Sequence, residues 1–198
     1  MKCGTSDVVG ARICIYPMQD NFVEIILNAV KASDKTGLAV ITDDLGTTVQ
    51  GREERVFSYV KEVFVRASKE GKHVAANVLF SAGCPGDVPE DFDFDVKVKE
   101  KKLPEEDKIN TACAWSLYPL GDEDYMDVIC SEISDAVKSS KVEVESYHYC
   151  TRIDGSAKDV FDLLEDSFRR VRKRIRHTII HATLSKGSPS KPKEKIQL

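Results

Sequence analysis

The sequence predicts an α+β protein made of two tandem ferredoxin-like (βαββαβ) repeats with antiparallel sheets. The first observation behind this prediction is internal repetition. When the chain is shifted by 104 residues, 37–85 lie over 141–189 with about a quarter of the positions identical. The second is that each copy shows strand and helix patterns in the order β-α-β-β-α-β, which is the ferredoxin-like arrangement. The chain therefore reads as one domain, duplicated and fused.

Short motifs recur at equivalent points of the two copies. The stretch "FSAGCPGD" (80–87) and the stretch "LSKGSPS" (184–190) each follow the last strand of a copy, and Tyr16-Pro17 matches Tyr118-Pro119. Gly and Pro end these strands because Pro has no N–H to donate to a ladder. The expected organisation is repeat 1 (1–88), a charged linker (89–109), repeat 2 (110–190) and a disordered tail (191–198).

The first strand and the first helix of each copy follow from hydrophobic periodicity. "ARICIYPM" alternates with period two, so Ile13 and Ile15 point to one face and Cys14 to the other. The following "DNFVEIILNAVKAS" has apolar residues at helical spacing, with Asp20 as the expected N-cap. The expected apolar face of this helix is Phe22, Ile25, Ile26, Ala29 and Val30.

The second half of each copy reads as a hairpin, a helix and a final strand. "GLAVIT" and "TTVQG" are the predicted hairpin strands, and "DDLG" is their turn. The next segment is a helix that Gly71 ends, and "HVAANVLFSAG" is the last strand. The expected buried face of the helix is Val56, Tyr59, Val60, Val63, Phe64 and Ala67.

Both helices of a ferredoxin-like unit cover the same sheet face, so the other face is expected to stay open. An open face that carries aromatic and small polar side chains needs a ligand or a second sheet as a partner. Its expected members are Arg12, Cys14, Tyr16, Asn77 and Ser81 in repeat 1, and Ser116, Tyr118, His181 and Ser185 in repeat 2.

Composition argues against several classes of protein. The net charge of −4 and the pI of about 5.7 argue against a nucleic-acid partner, which selects a basic face. No apolar run is long enough to insert into a membrane, and the N-terminus does not resemble a secretory signal. The six cysteines form no C-x-x-C pair. We therefore expect a cytoplasmic protein with buried thiols.

The sequence contains no motif for catalysis, metal binding or phosphate binding. It lacks G-x-G-x-x-G, P-loop, H-E-x-x-H and G-x-S-x-G patterns, and its four histidines suggest no metal site. Since no nucleophile and base pair stands out, the sequence predicts a binding protein that needs no cofactor and is not an enzyme.

Several long strings resemble one known family. "CGTSDVVGARICIYPM", "TDDLGTTVQG", "GCPGD", "YHYCTRIDGSAKDVF" and "LSKGSPS" are similar to the bacterial YkoF-type proteins, which bind thiamine and its hydroxymethylpyrimidine (HMP) moiety. The similarity covers nearly the whole chain. It implies tandem ferredoxin-like domains, a homodimer, one ligand site per repeat and a role in vitamin precursor salvage or transport without catalysis.

Candidate ligand-binding residues follow from the chemistry of that ligand. An aromatic side chain stacks on a flat or cationic ring, a carboxylate attracts the thiazolium, and hydroxyl and amide groups bind the pyrimidine edge. The predicted site residues are Cys14, Tyr16, Thr42, Asp44, Thr47, Asn77 and Ser81 in repeat 1, and Ser116, Tyr118, His148, Thr151, His181 and Ser185 in repeat 2.

The two copies differ at these positions, so two unequal sites are expected. Cys14 corresponds to Ser116, and the resemblance implies that family members carry Ser where Cys14 stands. Only Arg12 and Arg152 are candidates to hold a phosphorylated vitamin. Two alternatives stay open, a ferredoxin-like regulatory module that senses an amino acid or other small molecule and an enzyme of the dimeric α+β barrel type.

Overall fold

The computed structural model describes residues 8–84, 93, 96 and 103–190. The order of elements within each copy is β-α-β-β-α-β, so the predicted fold class is confirmed. Repeat 1 contains β1 (Val9–Pro17), α1 (Phe22–Ala32), β2 (Leu38–Thr42), β3 (Thr47–Gly51), α2 (Glu53–Glu70) and β4 (Val74–Ala82). Repeat 2 contains β5 (Asn110–Leu120), α3 (Tyr125–Val137), β6 (Glu143–Tyr147), β7 (Cys150–Ser156), α4 (Ala157–Arg172) and β8 (His177–Lys186), after a short 3₁₀ helix (Glu106–Lys108).

The two repeats share one continuous antiparallel sheet instead of forming a sheet each. Its eight strands run in the order β2-β3-β1-β4-β8-β5-β7-β6, and the last strands of the two copies, β4 and β8, pair at the centre. Val78 lies opposite Ala182 in this pairing, and the two occupy equivalent positions of the repeat. The pairing of β4 with β8 thus lies on a local twofold axis, about which the two copies are arranged.

One face of the sheet is covered and the other is open. Strand residues such as Ile13, Val78 and Ile180 are buried beneath the helices. Their neighbours on the other face are at least partly accessible, and Leu79, in a central strand, is 41% exposed. This alternation confirms the predicted open face and places Arg12, Cys14, Tyr16, Asn77, Ser81, Ser116, Tyr118, His181 and Ser185 on it.

The helix layer joins the two repeats through phenylalanine rings. The ring centroids of Phe57 in α2 and Phe168 in α4 lie 5.4 Å apart. Those of the symmetry-equivalent pair, Phe64 and Phe161, lie 6.0 Å apart. The whole predicted face of α2 is buried, and so are further positions such as Phe57 and Val65. They are buried because α2 contacts α1 on one side and α4 on the other.

The ends of the helices agree with the prediction at Gly71 and differ at Asp20. The N–H of Gly71 donates to Ala67 O at 2.9 Å at the end of α2. The N-cap of α1 is Asn21 instead of Asp20, and its side chain makes no capping hydrogen bond. Its backbone, with a φ of −89° and a ψ of 29°, is not in the extended region typical of a capping residue, and its amide oxygen accepts from Gln19 Nε2 at 2.6 Å.

The predicted linker (89–109) falls largely outside the described residues, and the predicted tail (191–198) falls there entirely. Within the described part of the linker, Leu103 and Ile109 are buried against the core. None of the described helices combines the length and the apolar character that crossing a membrane requires.

Candidate ligand-binding site

A gap in the sheet marks the same place in each repeat. In repeat 2, β5 pairs with β8 as far as Leu120, but its pairing with β7 ends at Trp115 opposite Thr151. In repeat 1, β1 pairs with β4 as far as Pro17 but with β3 only as far as Ile13. The last residues of the first strand therefore have a strand neighbour on one side only.

The gap of repeat 2 opens into a cavity of about 630 Å³ between β5, α3 and the β6–β7 hairpin. Four tyrosines and several aliphatic side chains give it a mainly apolar wall, with hydroxyl groups at intervals. The lining residues are Trp115, Ser116, Leu117, Tyr118, Pro119, Leu120, Gly121, Asp122, Tyr125, Met126, Ile129, Ile133, Ser146, Tyr147, Tyr149, Cys150 and Thr151.

The tip of the β6–β7 hairpin holds a tyrosine at the mouth of this cavity. Tyr149 has a φ of 72°, a left-handed conformation that few residues other than glycine adopt, and its side chain is fully exposed. A residue held in this conformation and without packing is typical of functional sites. Leu45 occupies the equivalent place in repeat 1.

The hairpin tip is tied to the first strand in the same way in both repeats. Cys14 Sγ donates to Leu45 O at 3.0 Å, and Ser116 Oγ donates to Tyr149 O at 3.3 Å. Both side chains were predicted to bind the ligand, but in the structure each donates its hydrogen to a carbonyl oxygen of the hairpin tip. The difference between Cys14 in repeat 1 and Ser116 in repeat 2 therefore changes the side chain that anchors the hairpin tip.

Charge differs between the hairpins beside the two gaps. In repeat 1, Asp43 in the hairpin accepts from Arg12 Nη2 at 2.7 Å and from the N–H of Leu45 at 2.9 Å. These hydrogen bonds lower the pKa of Asp43 below its usual value, and the bond from Arg12 contributes most. In repeat 2 the equivalent residue is Tyr147, and Arg152 pairs instead with Asp154 at 2.6 Å.

The structure divides the predicted residues among four places. Ser116, Tyr118 and Thr151 line the cavity of repeat 2, and Cys14, Tyr16, Thr42 and Thr47 hold the positions equivalent to Ser116, Tyr118, Ser146 and Thr151. Asp44 and His148 lie in the turns of the hairpins. Asn77, Ser81, His181 and Ser185 lie on the open face of the central strands.

The open-face group forms its own contacts between repeats. Asn77 Nδ2 lies 2.9 Å from His181 Nε2 and donates to Thr183 Oγ1 at 3.2 Å. Ser185 Oγ lies 3.4 Å from His73 Nε2. Outside this group, the predicted residues Thr42 and Thr47 contact each other within the hairpin of repeat 1, where their Oγ1 atoms lie 3.0 Å apart.

Sequence reasoning missed several residues that line the cavity. Tyr125 and Met126 begin α3, Tyr147 ends β6, and Tyr149 lies in the hairpin turn. Exposed aromatic residues at a helix start and in a turn were the available signal, because neither position buries an aromatic ring by itself.

Few acid or base side chains are among the described residues that line the cavity. Asp122 is its one carboxylate, and no histidine is among the described residues that line it. Cys84 Sγ lies 3.2 Å from His177 Nε2, but neither residue lines the cavity. Within the described chain, no cluster of three or more His, Cys, Asp or Glu side chains is arranged to hold a metal ion.

Comparison with known proteins identifies the family. The model of the "YKOF-related Family" matches residues 8–87 and 110–191, which are the two repeats. The chain belongs to the YkoF-related family. A relative from Bacillus subtilis (strain 168), named "Putative HMP/thiamine-binding protein YkoF", is 34% identical over 198 residues, which cover 98% of this chain and 97% of the relative.

Membership of the YkoF-related family confirms the resemblance noted from the sequence strings. Both matched segments contain one gap between the first strand and the hairpin, so the feature is repeated along with the domain. The relative is named as a binding protein, which agrees with the scarcity of acid and base groups around the cavity.

Proposed function

We propose that this chain binds thiamine, its HMP moiety, or both, at one site in each repeat, and that it does so without catalysis. In this proposal the protein is cytoplasmic and serves the salvage or transport of the vitamin precursor. The observation that carries the proposal is the tyrosine-lined cavity beside the unpaired end of β5, in a chain whose relative is named for HMP and thiamine binding.

The wall of the cavity suits a flat cationic ligand. Tyr118, Tyr125, Tyr147 and Tyr149 present aromatic rings, which attract a cation by about 0.5–2 kcal/mol each according to exposure. Among the described lining residues, Asp122 is the one that carries a charge. A positively charged thiazolium gains from both features, whereas an anion gains from neither.

The edge of the aminopyrimidine needs donors and acceptors in fixed positions. Backbone N–H and C=O groups of a strand point sideways into the place of a missing neighbour, here along residues 116–120, of which Pro119 has only a C=O. The hydroxyls of Ser146 and Thr151 lie in the same lining. A strand edge is rigid, so it can bind a planar heterocycle without the entropy cost of ordering a loop.

An amino acid fits this cavity less well. Its carboxylate is best held by a basic side chain, and no Lys or Arg is among the described lining residues. The phosphorylated vitamin meets the same obstacle. Arg12 and Arg152, the two candidate phosphate ligands, are already paired with Asp43 and Asp154.

Titration calorimetry is expected to resolve two classes of site per chain for thiamine and for HMP. The two sites are unequal because Phe22, Asp43 and Leu45 stand where repeat 2 has Tyr125, Tyr147 and Tyr149. Thiamine diphosphate is expected to bind at least about tenfold more weakly than thiamine, since it brings negative charge to a lining with one carboxylate. A panel of free amino acids serves as the control. Heat from an amino acid and none from thiamine or HMP would reject the proposal.

We further propose that a second copy of the chain covers the open face of the sheet. Eight strands leave that face accessible, with Leu79 at its centre and Ile179 next to it. Sedimentation equilibrium is expected to give twice the chain mass of 22.1 kDa. Leu79→Lys places a charge at the contact and is expected to shift the mass toward one chain. A monomeric wild-type protein at micromolar concentration would contradict the homodimer.

A further inference from the structure

The cavity of repeat 2 contains a buried hydrogen-bond donor with no partner. Trp115 is 2% exposed and lines the cavity. Its indole Nε1 is buried and has no hydrogen-bond partner among the described residues. Indole N–H is a donor only, so a neighbouring acceptor is the one way to satisfy it.

An unsatisfied donor at this place is unusual. Native proteins pair about nine in ten of their buried polar groups, and each exception calls for an explanation such as strain, a catalytic role, or a bound water or ion. Tryptophan tolerates burial because its large ring is apolar, but its N–H usually finds an acceptor. Here the ring lies in the core while the residue borders about 630 Å³ of cavity.

We propose that the Trp115 N–H donates a hydrogen bond to an in-plane ring nitrogen of the ligand bound in repeat 2. This inference rests on the proposed function and adds a specificity-determining residue to it. An unprotonated pyrimidine nitrogen has a lone pair in the plane of the ring, which is the acceptor that an indole donor requires. A carbocyclic ring, or a nitrogen that carries a proton, does not provide it.

The same donor is missing from repeat 1. Ile13 pairs with Thr47 at the end of the β1–β3 ladder, in the place where Trp115 pairs with Thr151. Ile13 has no polar side-chain atom, so the site of repeat 1 cannot make this bond. The chain therefore contains its own control, because a change that removes the N–H should affect one site only.

The test is calorimetry of the full-length Trp115→Phe variant with HMP. Phenylalanine keeps an aromatic ring in the core but lacks the N–H, so HMP affinity at the repeat-2 site is expected to fall about tenfold. Affinity at the repeat-1 site is expected to stay unchanged, which also shows that the variant is folded. Unchanged affinity at both sites would overturn the inference while leaving the proposed function intact.

A second measurement uses the wild-type protein and therefore does not depend on the variant folding. Trp115 is the one tryptophan in the sequence, so its fluorescence reports on repeat 2 alone. The probes are HMP and its two pyridine analogues, in each of which one ring nitrogen is replaced by C–H. One analogue is expected to bind about tenfold more weakly than HMP in the fluorescence titration.

The outcomes separate this inference from the proposed function. If both pyridine analogues bind repeat 2 as tightly as HMP, the indole hydrogen bond is rejected although the protein binds the vitamin moiety. If neither HMP nor thiamine changes the fluorescence or produces heat, the proposed function itself fails, and the inference with it.

Discussion

Replacing Phe57 by Ala is expected to destabilise the entire chain by about 3–5 kcal/mol, the usual cost of deleting a buried phenylalanine ring. The ring stacks on Phe80 of β4 with centroids 4.0 Å apart and also contacts Phe168 of the other repeat. Its loss removes packing within repeat 1 and between the repeats together. Both repeats should therefore lose stability, although only one of them is altered.

Thermal unfolding followed by circular dichroism measures this effect. The midpoint is expected to fall by on the order of 10 °C in one cooperative transition. Phe22→Ala is the matched control, because it deletes the same ring from a position that is 48% exposed. The control should change the midpoint by a few degrees at most. Separate transitions for the two repeats in the Phe57 variant would show that they are not coupled through these rings.

Replacing Tyr118 by Ala is expected to weaken ligand binding in repeat 2 by about tenfold and to leave repeat 1 unaffected. The tyrosine lies on the unpaired end of β5 and lines the cavity, so its ring is a stacking surface for a flat ligand. Loss of one aromatic partner of a cationic ring is worth up to about 2 kcal/mol. Tyr16→Ala should produce the reverse result, since Tyr16 holds the equivalent place in repeat 1.

Calorimetry with thiamine on both variants separates the two effects. Tyr118→Phe is the matched control, because it keeps the ring and loses only the hydroxyl; it is expected to bind like the wild type. Stability should change little in each variant, because both tyrosines are about half exposed. Equal weakening of both sites by Tyr118→Ala would contradict one independent site per repeat.

Local patterns in the sequence were sufficient to predict the elements of the fold. Alternation in "ARICIYPM" and the helical spacing of α2 both report which side chains are buried, and burial is what the structure confirms at Ile13 and Val60. The N-cap of α1 was predicted wrongly because Asp and Asn are both good caps, and neighbouring contacts decided between positions 20 and 21.

Long-range pairing was beyond what the sequence reveals. Alternation along β4 is the same whether its edge is free or pairs with β8, so the merging of the two sheets was not visible. The gap beside β5 depends on where β7 begins, at Cys150, and strand ends are set by tertiary context. Consequently Tyr118 was predicted as a site residue, whereas Tyr147, Tyr149 and the unsatisfied donor of Trp115 emerged only from the structure.

The pairing of Val78 with its own counterpart, Ala182, has an evolutionary consequence. A strand that meets its equivalent across a twofold axis lets a half-length ancestor assemble with an identical molecule. Every mutation in such an ancestor is present in both halves of the assembly. Joining the two genes end to end removes that constraint. In the fused chain a carboxylate stands at Asp43 and a phenol at the equivalent Tyr147, so the two proposed sites can be altered separately.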